Sequence, residues 1–418
     1  MNPTKSGIVI IGAGPAGMAA SIRLSKEGID HTVLERGTFP KDKICGDALS
    51  GKVVQHLNRL DPAWNKELEQ MADKTIGSYG VRFVAPNGRE LDIPFKTDLS
   101  ELHSPPGYIM SRFDFDAWLA GKAKSDYANI LTGATVTRMH RKGDQVEIHF
   151  DRNDNREQLT AHLVIGAEGD RSITGKSLSV HSDHLRKEKD HYCAGLRRYY
   201  QGVHGLHPKG FIELHFLPEL LPGYLWIFPM SGGRANVGVG MLSSVISRKK
   251  INLRKLMDQL IHEHPALRER FCDSRPLEEI KGWGLPLGSK KRSLSGDNYL
   301  LTGDAASLID PFTGEGIGNA LVSGGIAGEI ASMAVKQHRF DAQTLSVYDK
   351  EVYGQLWDEL KLSRTLQQLT RQAWLFNFVV NKAARSPLLR ETITGMFEDV
   401  SLRSRLSQPA FYFKLLWQ

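Results

Sequence analysis

The stretch IVIIGAGPAG, residues 8–17, decides the fold class of this chain. Its apolar start predicts a buried strand, and the residues that follow the strand predict a helix. Gly12, Gly14 and Gly17 hold the three positions of a G-x-G-x-x-G motif between these elements. The first glycine allows a tight turn, the second has no Cβ to block a pyrophosphate, and the third lets helix and strand pack closely. This context favours nucleotide binding over a glycine-rich turn that binds nothing.

A second strand, HTVLER at residues 31–36, completes a β-α-β unit. Glu35 closes this strand about 20 residues after the glycine motif, where a carboxylate can accept hydrogen bonds from ribose hydroxyls. We therefore assign Glu35, and Arg36 beside it, to a cofactor site. The motif alone does not distinguish NAD from FAD.

A second glycine-rich loop lies near the other end of the chain, in YLLTGDAASLIDPFTGEGIGNAL. FAD is long, so one loop must hold its adenosine half and another its ribityl and flavin half. An aspartate at the end of a strand suits ribityl or phosphate-side hydroxyls, and helix N-terminal amides favour the negative charge of a reduced flavin. The residues assigned to this half are Gly303, Asp304, Gly314, Gly316 and Ile317.

The composition argues against several other functions. The three cysteines among the 418 residues are far apart and form no C-x-x-C pair, and the fifteen histidines show no metal-ligand spacing. Iron–sulfur clusters and structural zinc sites usually need four clustered ligands, so no metal is expected. Three cysteines also make a poor disulfide framework, which favours a reducing, cytoplasmic compartment. The net charge of +7 suits an anionic cofactor or a membrane surface, and no recognition module for nucleic acid is visible.

The order of elements predicts a mixed α/β fold: a Rossmann-like FAD-binding domain with an inserted antiparallel β-sheet substrate domain and a helical C-terminus. Hairpin patterns such as GVRFVAPNGRELDIPF, and alternating strands with one helix between residues 190 and 288, predict the inserted sheet. The expected domains are a discontinuous FAD-binding domain over 1–80, 105–175 and 290–335, a substrate domain over 81–104 and 176–289, and helices over 336–418. The sequence contains no run of 18 apolar residues, so it predicts no membrane-spanning helix.

Three motifs in this order resemble the FAD-dependent family typified by p-hydroxybenzoate hydroxylase: GAGPAG, LVIGAEGDRS and LLTGDAA. The resemblance implies that the cofactor is FAD. The middle motif departs from the family's usual Asp-Gly, because this chain has Glu168 and Gly169 there, while Ser172 keeps its place. The longer side chain is expected to weaken or shift the contact with the cofactor.

The same resemblance assigns Ala16 and Val136 to the cofactor site. It also assigns Arg112, in SRFDFDAWL, which resembles the family's FAD-contacting arginine. For Arg112 the alternative is a surface salt bridge.

Within this family the chain looks most like the geranylgeranyl reductase group. KICGDALSG, residues 43–51, is similar to the group's Cys-Gly segment beside the flavin, and GYLWIFPMSGGRANVGVG fits its Y-x-W-x-F-P motif followed by G-x-G. In that group the aromatic strand lines a tunnel for a polyprenyl chain, which implies an isoprenoid lipid substrate here. The residues that this assigns to the substrate are Tyr224, Trp226, Phe228 and Pro229.

The aromatic strand also makes physical sense as a lipid-binding wall. Residues 224, 226 and 228 alternate along a strand, so their side chains face one side of the sheet. An apolar wall of this kind binds an isoprenoid by burying area, at about 25 cal/mol per Å². The alternative is a plain sheet core.

Cys45 is the residue whose interpretation depends most on the resemblance. A lone thiol is by default a small buried hydrophobic group. The resemblance implies instead that Cys45 lies at the flavin face, where it positions an alkene or delivers a proton. Cys193 and Cys272 have no such context and are interpreted as structural.

The resemblance therefore implies reduction of isoprenoid C=C bonds, with hydride from reduced FAD and a proton from water or a side chain. An FAD monooxygenase or halogenase is the nearest alternative, since halogenases of this superfamily carry W-x-W-x-I-P. Tyr224 and Phe228 at the outer positions favour the reductase. A quinone-linked electron-transfer flavoprotein is a further alternative, although the chain has no ligands for an iron–sulfur cluster.

Two further features stay open at this point. No second dinucleotide motif is visible, so the electron donor, NAD(P)H or ferredoxin, is not determined, and neither is the oligomeric state. The C-terminal stretch QPAFYFKLLWQ is aromatic and cationic. It predicts either a helix packed on the body of the protein or peripheral contact with the inner face of a membrane.

Overall fold

The computed structural model describes residues 4–96, 104–179 and 188–386, together with residues 390, 391 and 394. The stretch QPAFYFKLLWQ, residues 408–418, lies outside the described residues, so its expected packing or membrane contact stays a prediction. No helix within the described part of the chain is long and apolar enough to cross a bilayer.

Strands and helices are interspersed up to residue 301, and the described residues from 317 to 385 are mainly helical. In chain order the strands are β1 Thr4–Ile11, β2 His31–Glu35, β3 Ala48–Leu49, β4 Thr75–Ser78, β5 Gly80–Val84, β6 Glu90–Pro94, β7 Gly107–Met110, β8 Ala128–Thr132, β9 Thr135–Lys142, β10 Gln145–Arg152, β11 Asn155–Gly166, β12 Tyr192–Gln201, β13 Ile212–His215, β14 Tyr224–Met230, β15 Arg234–Leu242, β16 Arg275–Pro276, β17 Lys281–Pro286, β18 Ser295–Gly296 and β19 Tyr299–Leu301. The α-helices are α1 Pro15–Lys26, α2 Gly51–Leu60, α3 Ala63–Gln70, α4 Arg112–Lys122, α5 Ile173–Leu178, α6 Ser243–Lys249, α7 Leu253–Glu263, α8 Pro265–Phe271, α9 Ile317–Gln337, α10 Ala342–Leu345, α11 Val347–Leu369 and α12 Ala373–Arg385.

The first sheet contains the predicted β-α-β opening. Its spatial order is β18-β19-β11-β1-β2-β8, and all of these strands except β18 run parallel. The hairpin of β9 and β10 extends it by antiparallel pairing with β11. Ile11 pairs with Gly166, and Gly166 pairs with Leu301, so the turns that follow β1, β11 and β19 meet at one edge. The carboxyl edge of a parallel sheet is where such folds bind ligands.

The second sheet lies between parts of the first in the sequence. Its spatial order is β16-β12-β15-β14-β13-β5-β6, with β17 also paired to β12. The pairings are antiparallel as expected, except that β13 runs parallel to β5. The mixed α/β fold class is confirmed. The interleaving of the two sheets agrees with an inserted substrate domain, whose boundaries stay a prediction.

Some elements were not anticipated. One helix was expected within the second sheet, but α6 and α8 flank α7 there. Each of these extra helices has seven residues, which is too short for a clear helical period. A third sheet, in the order β3-β7-β4, was also missed, because β3 has only two residues.

The strand β14 shows how the second sheet separates two apolar regions. Leu225 and Ile227 join the core that lies against α7 and α8. Trp226 and Phe228 face the other side, in an apolar cluster that also contains Val380 of α12. The alternation predicted from the sequence therefore places the aromatic residues on one face.

Candidate active site

The first glycine loop joins β1 to α1. Gly12 has φ +97°, and a Cβ there would lie 2.5 Å from the carbonyl oxygen of Ala167. A Cβ at Gly17 would lie 1.9 Å from the carbonyl oxygen of Gly12, whereas at Gly14 the nearest heavy atom would be 4.0 Å away. The N-terminus of α1 has no side-chain cap and no acidic residue in its first turn. A side chain at Gly14 would therefore project into space suited to an anion, as pyrophosphate binding requires.

Glu35 lies directly against this loop. One carboxylate oxygen accepts hydrogen bonds from the Ala13 amide at 2.7 Å and from Lys41 Nζ at 2.5 Å, and the other accepts from the Gly37 amide at 2.8 Å. Burial acts to raise the pKa of Glu35, but Lys41 and the two amides outweigh it and hold the pKa below its usual range. Glu35 is thus an ionised carboxylate at the predicted place, and Arg36 beside it is exposed.

Glu168 turns its carboxylate toward α5. Its Oε1 accepts from the Thr174 amide at 2.6 Å and from the Ser172 hydroxyl at 3.1 Å. Burial raises the pKa of this carboxyl group. Its backbone packs on the first loop, because a Cβ at Gly12 would lie 2.9 Å from the Glu168 Cα. The longer acidic side chain thus contacts a helix N-terminus, and Gly169 follows with φ +81°.

Arg112 is a buried residue at the start of α4, 3% exposed. Its Nε and Nη2 each donate to one carboxylate oxygen of Asp116 at 2.7 Å. The Nη2 atom is also the one that lies 4.0 Å from a Cβ built at Gly14. The alternative of a surface salt bridge is wrong, because the ion pair is buried and its guanidinium lies beside the first glycine loop.

The second loop is joined to the segment that contains Cys45. Lys43 Nζ donates to Asp304 Oδ2 at 2.9 Å, and Ser50 Oγ donates to Glu315 Oε1 at 2.6 Å. These two contacts hold the segment of residues 43–51 against the loop assigned to the flavin half of FAD.

Glycine geometry shapes the second loop as well. Gly303 has φ +54° and Gly314 has φ +71°, which is the left-handed region that glycine favours. The helix α9 begins at Ile317 after Gly316, and the Gly318 amide in its first turn donates to Glu315 Oε1 at 3.2 Å. Gly316 and Ile317 border the cavity described next, and the contact of their amides with the flavin stays a prediction.

A cavity of about 1140 Å³ adjoins this loop. Its walls come from the 43–51 segment, the second glycine loop, β14, and parts of α2, α11 and α12. The residues assigned from the sequence that line it are Cys45, Arg112, Asp304, Gly314, Gly316, Ile317, Tyr224, Trp226 and Phe228. One continuous space therefore connects the flavin loop, Cys45 and the aromatic strand.

The assigned residues outside this lining include Ala16, Val136 and Pro229. Ala16 is buried where α1 crosses α9, because a Cβ at Gly324 would lie 2.1 Å from the Ala16 carbonyl oxygen. Val136 is half-buried on β9 and packs against the core of the first domain. Pro229 pairs with Ala235 in the sheet. None of the three lines the cavity, and their contacts with ligands stay predictions.

The aromatic wall depends on glycines opposite it. A Cβ at Gly238 would lie 2.2 Å from the indole of Trp226, and a Cβ at Gly46 would lie 2.6 Å from the ring of Phe228. The two rings are 9% and 7% exposed. This face is not a filled sheet core, since both rings border the cavity.

Asn236 links Cys45 to this wall. Its Nδ2 donates to the Cys45 carbonyl oxygen at 2.7 Å, and its Oδ1 accepts from the indole Nε1 of Trp226 at 2.8 Å. Sequence reasoning missed Asn236, although it lies between the aromatic motif and the G-x-G pair.

Asp47 is a second residue that the sequence reasoning missed, two positions after Cys45. It is fully buried, with φ +68°. Its carboxylate accepts from the Tyr199 hydroxyl at 2.6 Å, from Asn236 Nδ2 at 2.8 Å and from the Arg112 amide at 3.1 Å. Burial raises the pKa of Asp47 to about 6, against the opposing effect of these partners. Asp47 therefore brings a carboxyl group of raised pKa to the wall of the cavity.

The interpretation of Cys193 as a structural residue stays a prediction. It lines the same cavity as Cys45, on β12, and burial raises the pKa of its thiol to about 12. The alternating sequence pattern of β12 does not indicate that the face with Cys193 borders a cavity. Cys272 is exposed, and all three cysteines are free.

Among the described residues, two clusters of metal-ligand side chains were not visible as sequence spacing, and one of them, His204, Cys272 and Asp273, is exposed. His140, Glu147 and His149 come together across the β9–β10 hairpin, with ligand atoms within 4.8 Å of one another. Lys142 already pairs with Glu147 at 2.9 Å. The cluster lies outside the cavity and has no part in the site described above.

Two glycine loops at one edge of a parallel sheet, with an acidic residue at each, define a dinucleotide-binding fold of the flavoprotein class. A family model described as an FAD binding domain matches residues 5–324. The chain belongs to this family, and it is an FAD-dependent oxidoreductase.

The relatives are reductases by name. Digeranylgeranylglycerophospholipid reductase 2 of Methanopyrus kandleri is 28% identical over 391 residues, which cover 92% of this chain and 91% of the relative. Menaquinone reductase of Mycolicibacterium smegmatis is 30% identical over 346 residues, with 78% and 76% covered. The resemblance to the geranylgeranyl reductase group is confirmed.

Solved structures share the fold. A geranylgeranyl bacteriochlorophyll reductase-like protein of Thermoplasma acidophilum superposes with a TM-score of 0.81 at 22% identity, covering 92% of this chain and 93% of that one. A flavin-dependent brominase gives a TM-score of 0.75 at 19% identity, with 94% and 93% covered. At these identities the likeness shows the fold alone.

Proposed function

We propose that this protein reduces carbon–carbon double bonds in the isoprenoid chain of a lipid or quinone. The observation that carries the proposal is the single cavity that joins Cys45, the N-terminus of α9 and the aromatic wall of β14. The names of the reductase relatives, which act on a digeranylgeranyl lipid or on menaquinone, support an isoprenoid substrate for this chain as well.

The size of the cavity supports a long substrate. Its volume of about 1140 Å³ slightly exceeds the roughly 300–1,000 Å³ of pockets for drug-sized ligands. It therefore has room for part of a flavin and for an apolar chain beside it. Trp226, Phe228 and Leu214 belong to one apolar cluster on this side of the sheet, so a prenyl chain would be held by burial of apolar area.

The chain's own residues orient the reaction. Bound FAD supplies a hydride once it is reduced. The first glycine loop and Arg112 would hold the pyrophosphate, Asp304 the ribityl hydroxyls, and the amides at the start of α9 the pyrimidine edge of the flavin. The apolar wall excludes water from the alkene. Cys45 would fix the alkene or hold the proton that the second carbon of the alkene requires.

The electron donor and the location belong to the same proposal. NAD(P)H or ferredoxin is the proposed reductant, and anaerobic mixing of the protein with each donor would distinguish them by the loss of flavin absorbance. The free cysteines favour a reducing, cytoplasmic environment. A prenyl lipid resides in a bilayer, which favours peripheral contact with a membrane.

The deciding experiment is a single turnover without oxygen. The yellow protein is reduced and mixed with geranylgeranylated lipid, and the product is weighed by mass spectrometry. A gain of two hydrogens per bond, together with reoxidation of the flavin, is expected. A parallel mixture that contains oxygen and halide tests the alternatives. Insertion of oxygen or halide in that mixture without any reduction of the alkene, or flavin reoxidation by a quinone ring with its side chain unchanged, would refute the proposal in favour of a monooxygenase, a halogenase or an electron-transfer flavoprotein.

A further inference from the structure

The helix α12, with the sequence AWLFNFVVNKAAR, has two apolar faces. Phe376 packs on Phe216 with ring centroids 4.5 Å apart, and Val380 and Ala383 are buried in the same cluster. On the opposite side Trp374 is 68% exposed and Phe378 is 39% exposed. These two are four residues apart, so they form one outward patch on the helix.

The same helix closes the cavity. Leu375, Phe376 and Val379 line it, and Phe378 both lines it and reaches the surface. The helix is held on the second sheet by a hydrogen bond from the Asn87 amide to Asn377 Oδ1, at 3.1 Å.

The charges on α12 itself have one sign. The charged residues of α12 are Lys382 and Arg385, both in its last turn, and Arg371 precedes it. At 100° per residue, Arg385 falls on the same face as Trp374 and Phe378. Exposed aromatic residues beside basic residues on one helix face are typical of helices that lie at the surface of an anionic bilayer.

We propose that the outward face of α12, defined by Trp374, Phe378 and Arg385, docks on an anionic lipid bilayer. This inference rests on the proposed function, because it makes the membrane the source of the prenyl chain. Trp374 and Phe378 insert among the acyl chains at the interface, and Arg385 contacts lipid phosphate. The cavity behind the helix then lies next to the lipid that it takes up. A protein partner is less well matched, because the patch joins two aromatic side chains and α12 itself carries no acidic residue for a mixed rim.

Binding to vesicles tests the proposal directly. The full-length protein with FAD bound is sedimented with vesicles of phosphatidylcholine and phosphatidylglycerol in equal parts, and with vesicles of phosphatidylcholine alone. Trp374→Ser is expected to weaken binding to the anionic vesicles roughly tenfold, since Trp374 is the most exposed large apolar residue of the patch. Arg385→Gln is expected to weaken binding to anionic vesicles and to leave binding to neutral ones unchanged. Phe113→Ser, which removes an aromatic side chain 44% exposed on α4, is the matched control.

Two further measurements separate this inference from the function it rests on. Trp374 does not line the cavity, so turnover of a short, water-soluble prenyl substrate should be the same in Trp374→Ser and in the unchanged protein. Loss of vesicle binding in Trp374→Ser supports docking even if no prenyl substrate is reduced. Equal vesicle binding in Trp374→Ser, Phe113→Ser and the unchanged protein would overturn it. So would a dimer in gel filtration that Trp374→Ser converts to a monomer, since the patch would then bind a second copy of the chain.

Discussion

The side-chain amide nitrogen of Asn236 lies 2.7 Å from the carbonyl oxygen of Cys45. This contact joins the segment beside the flavin loop to the strand that follows the aromatic wall. The same amide group also donates to Asp47 and accepts from Trp226. One buried side chain thus sets the position of Cys45 relative to the wall.

Replacing Asn236 with alanine should weaken both stability and lipid turnover. Three partners lose their hydrogen bonds in a buried place, so the free energy of unfolding should fall by about 2–4 kcal/mol. The residues assigned to FAD are untouched, so affinity for FAD should change little while lipid turnover falls. Chemical denaturation, FAD titration and turnover give the three values.

The control for Asn236 is Asn298→Gly. Asn298 is also buried, donates to two carbonyl oxygens at 2.9 Å, and has a backbone φ of +63° that glycine adopts. The Asn298→Gly variant should have a lower free energy of unfolding, but its lipid turnover per folded molecule should be unchanged. Equal loss of turnover in both variants would show that Asn236 has only a structural role.

The Asp47 carboxyl group should make stability depend on pH. Burial raises its pKa to about 6 in the folded protein, so the folded state keeps a proton that the unfolded chain loses at lower pH. The contribution of Asp47 to stability is therefore greatest at low pH and falls as the pH rises from about 4 to about 6. Asp47→Asn removes this titration and keeps the left-handed backbone, which asparagine tolerates.

The measurement is the difference in unfolding free energy between the unchanged protein and Asp47→Asn. Between about pH 4 and pH 7, the unfolding free energy of the unchanged protein should fall by about 2–3 kcal/mol relative to that of Asp47→Asn. This is the effect expected when folding raises a carboxyl pKa by about two. The other titrating groups cancel in the difference. A flat difference would mean that Tyr199, Asn236 and nearby Arg197 keep the carboxylate ionised throughout.

Gly14 and Gly17 should respond to substitution in different ways. A side chain at Gly14 enters open space, so Gly14→Leu should fold with nearly unchanged melting temperature without FAD, yet bind FAD roughly a hundredfold more weakly or worse. At Gly17 even a methyl group meets the Gly12 carbonyl, so Gly17→Ala should lose about 2 kcal/mol or more of stability. A full FAD spectrum in Gly14→Leu would show that the loop assignment is wrong.

The sequence predicted what depends on local pattern. The glycine motifs, the strand before each of them and the alternation of Tyr224, Trp226 and Phe228 follow from spacing alone. It could not predict that Asn236 reaches Cys45, since 191 residues separate them and two sheets must first pack. The same is true of Cys193 and of α12, whose places at the cavity depend on how distant elements meet.

Trp226 should contribute to substrate binding more than to folding of the cofactor site. Trp226→Ala should weaken binding of a long prenyl lipid by about 3 kcal/mol or less, on the scale of lost aromatic burial. Trp118→Ala is the control, because Trp118 packs on Trp64 and Phe115 away from the cavity. Lipid titration followed by flavin absorbance measures both. Equal affinities in the two variants would argue against a substrate-binding wall.

Cys45 should matter for the step that consumes the lipid. Serine is close in size to cysteine, so Cys45→Ser should fold and bind FAD. If Cys45 fixes the alkene or holds its proton, reduction of the flavin by the electron donor should stay normal, while reoxidation of the flavin by the lipid should slow.

Cys193→Ser is a matched control, because Cys193 lines the same cavity but has a thiol pKa of about 12 and so holds its proton firmly. Rapid mixing resolves the two half-reactions. Slower reoxidation in Cys45→Ser alone would assign Cys45 to the chemistry, whereas unchanged rates in both variants would make it a small apolar group beside the cofactor.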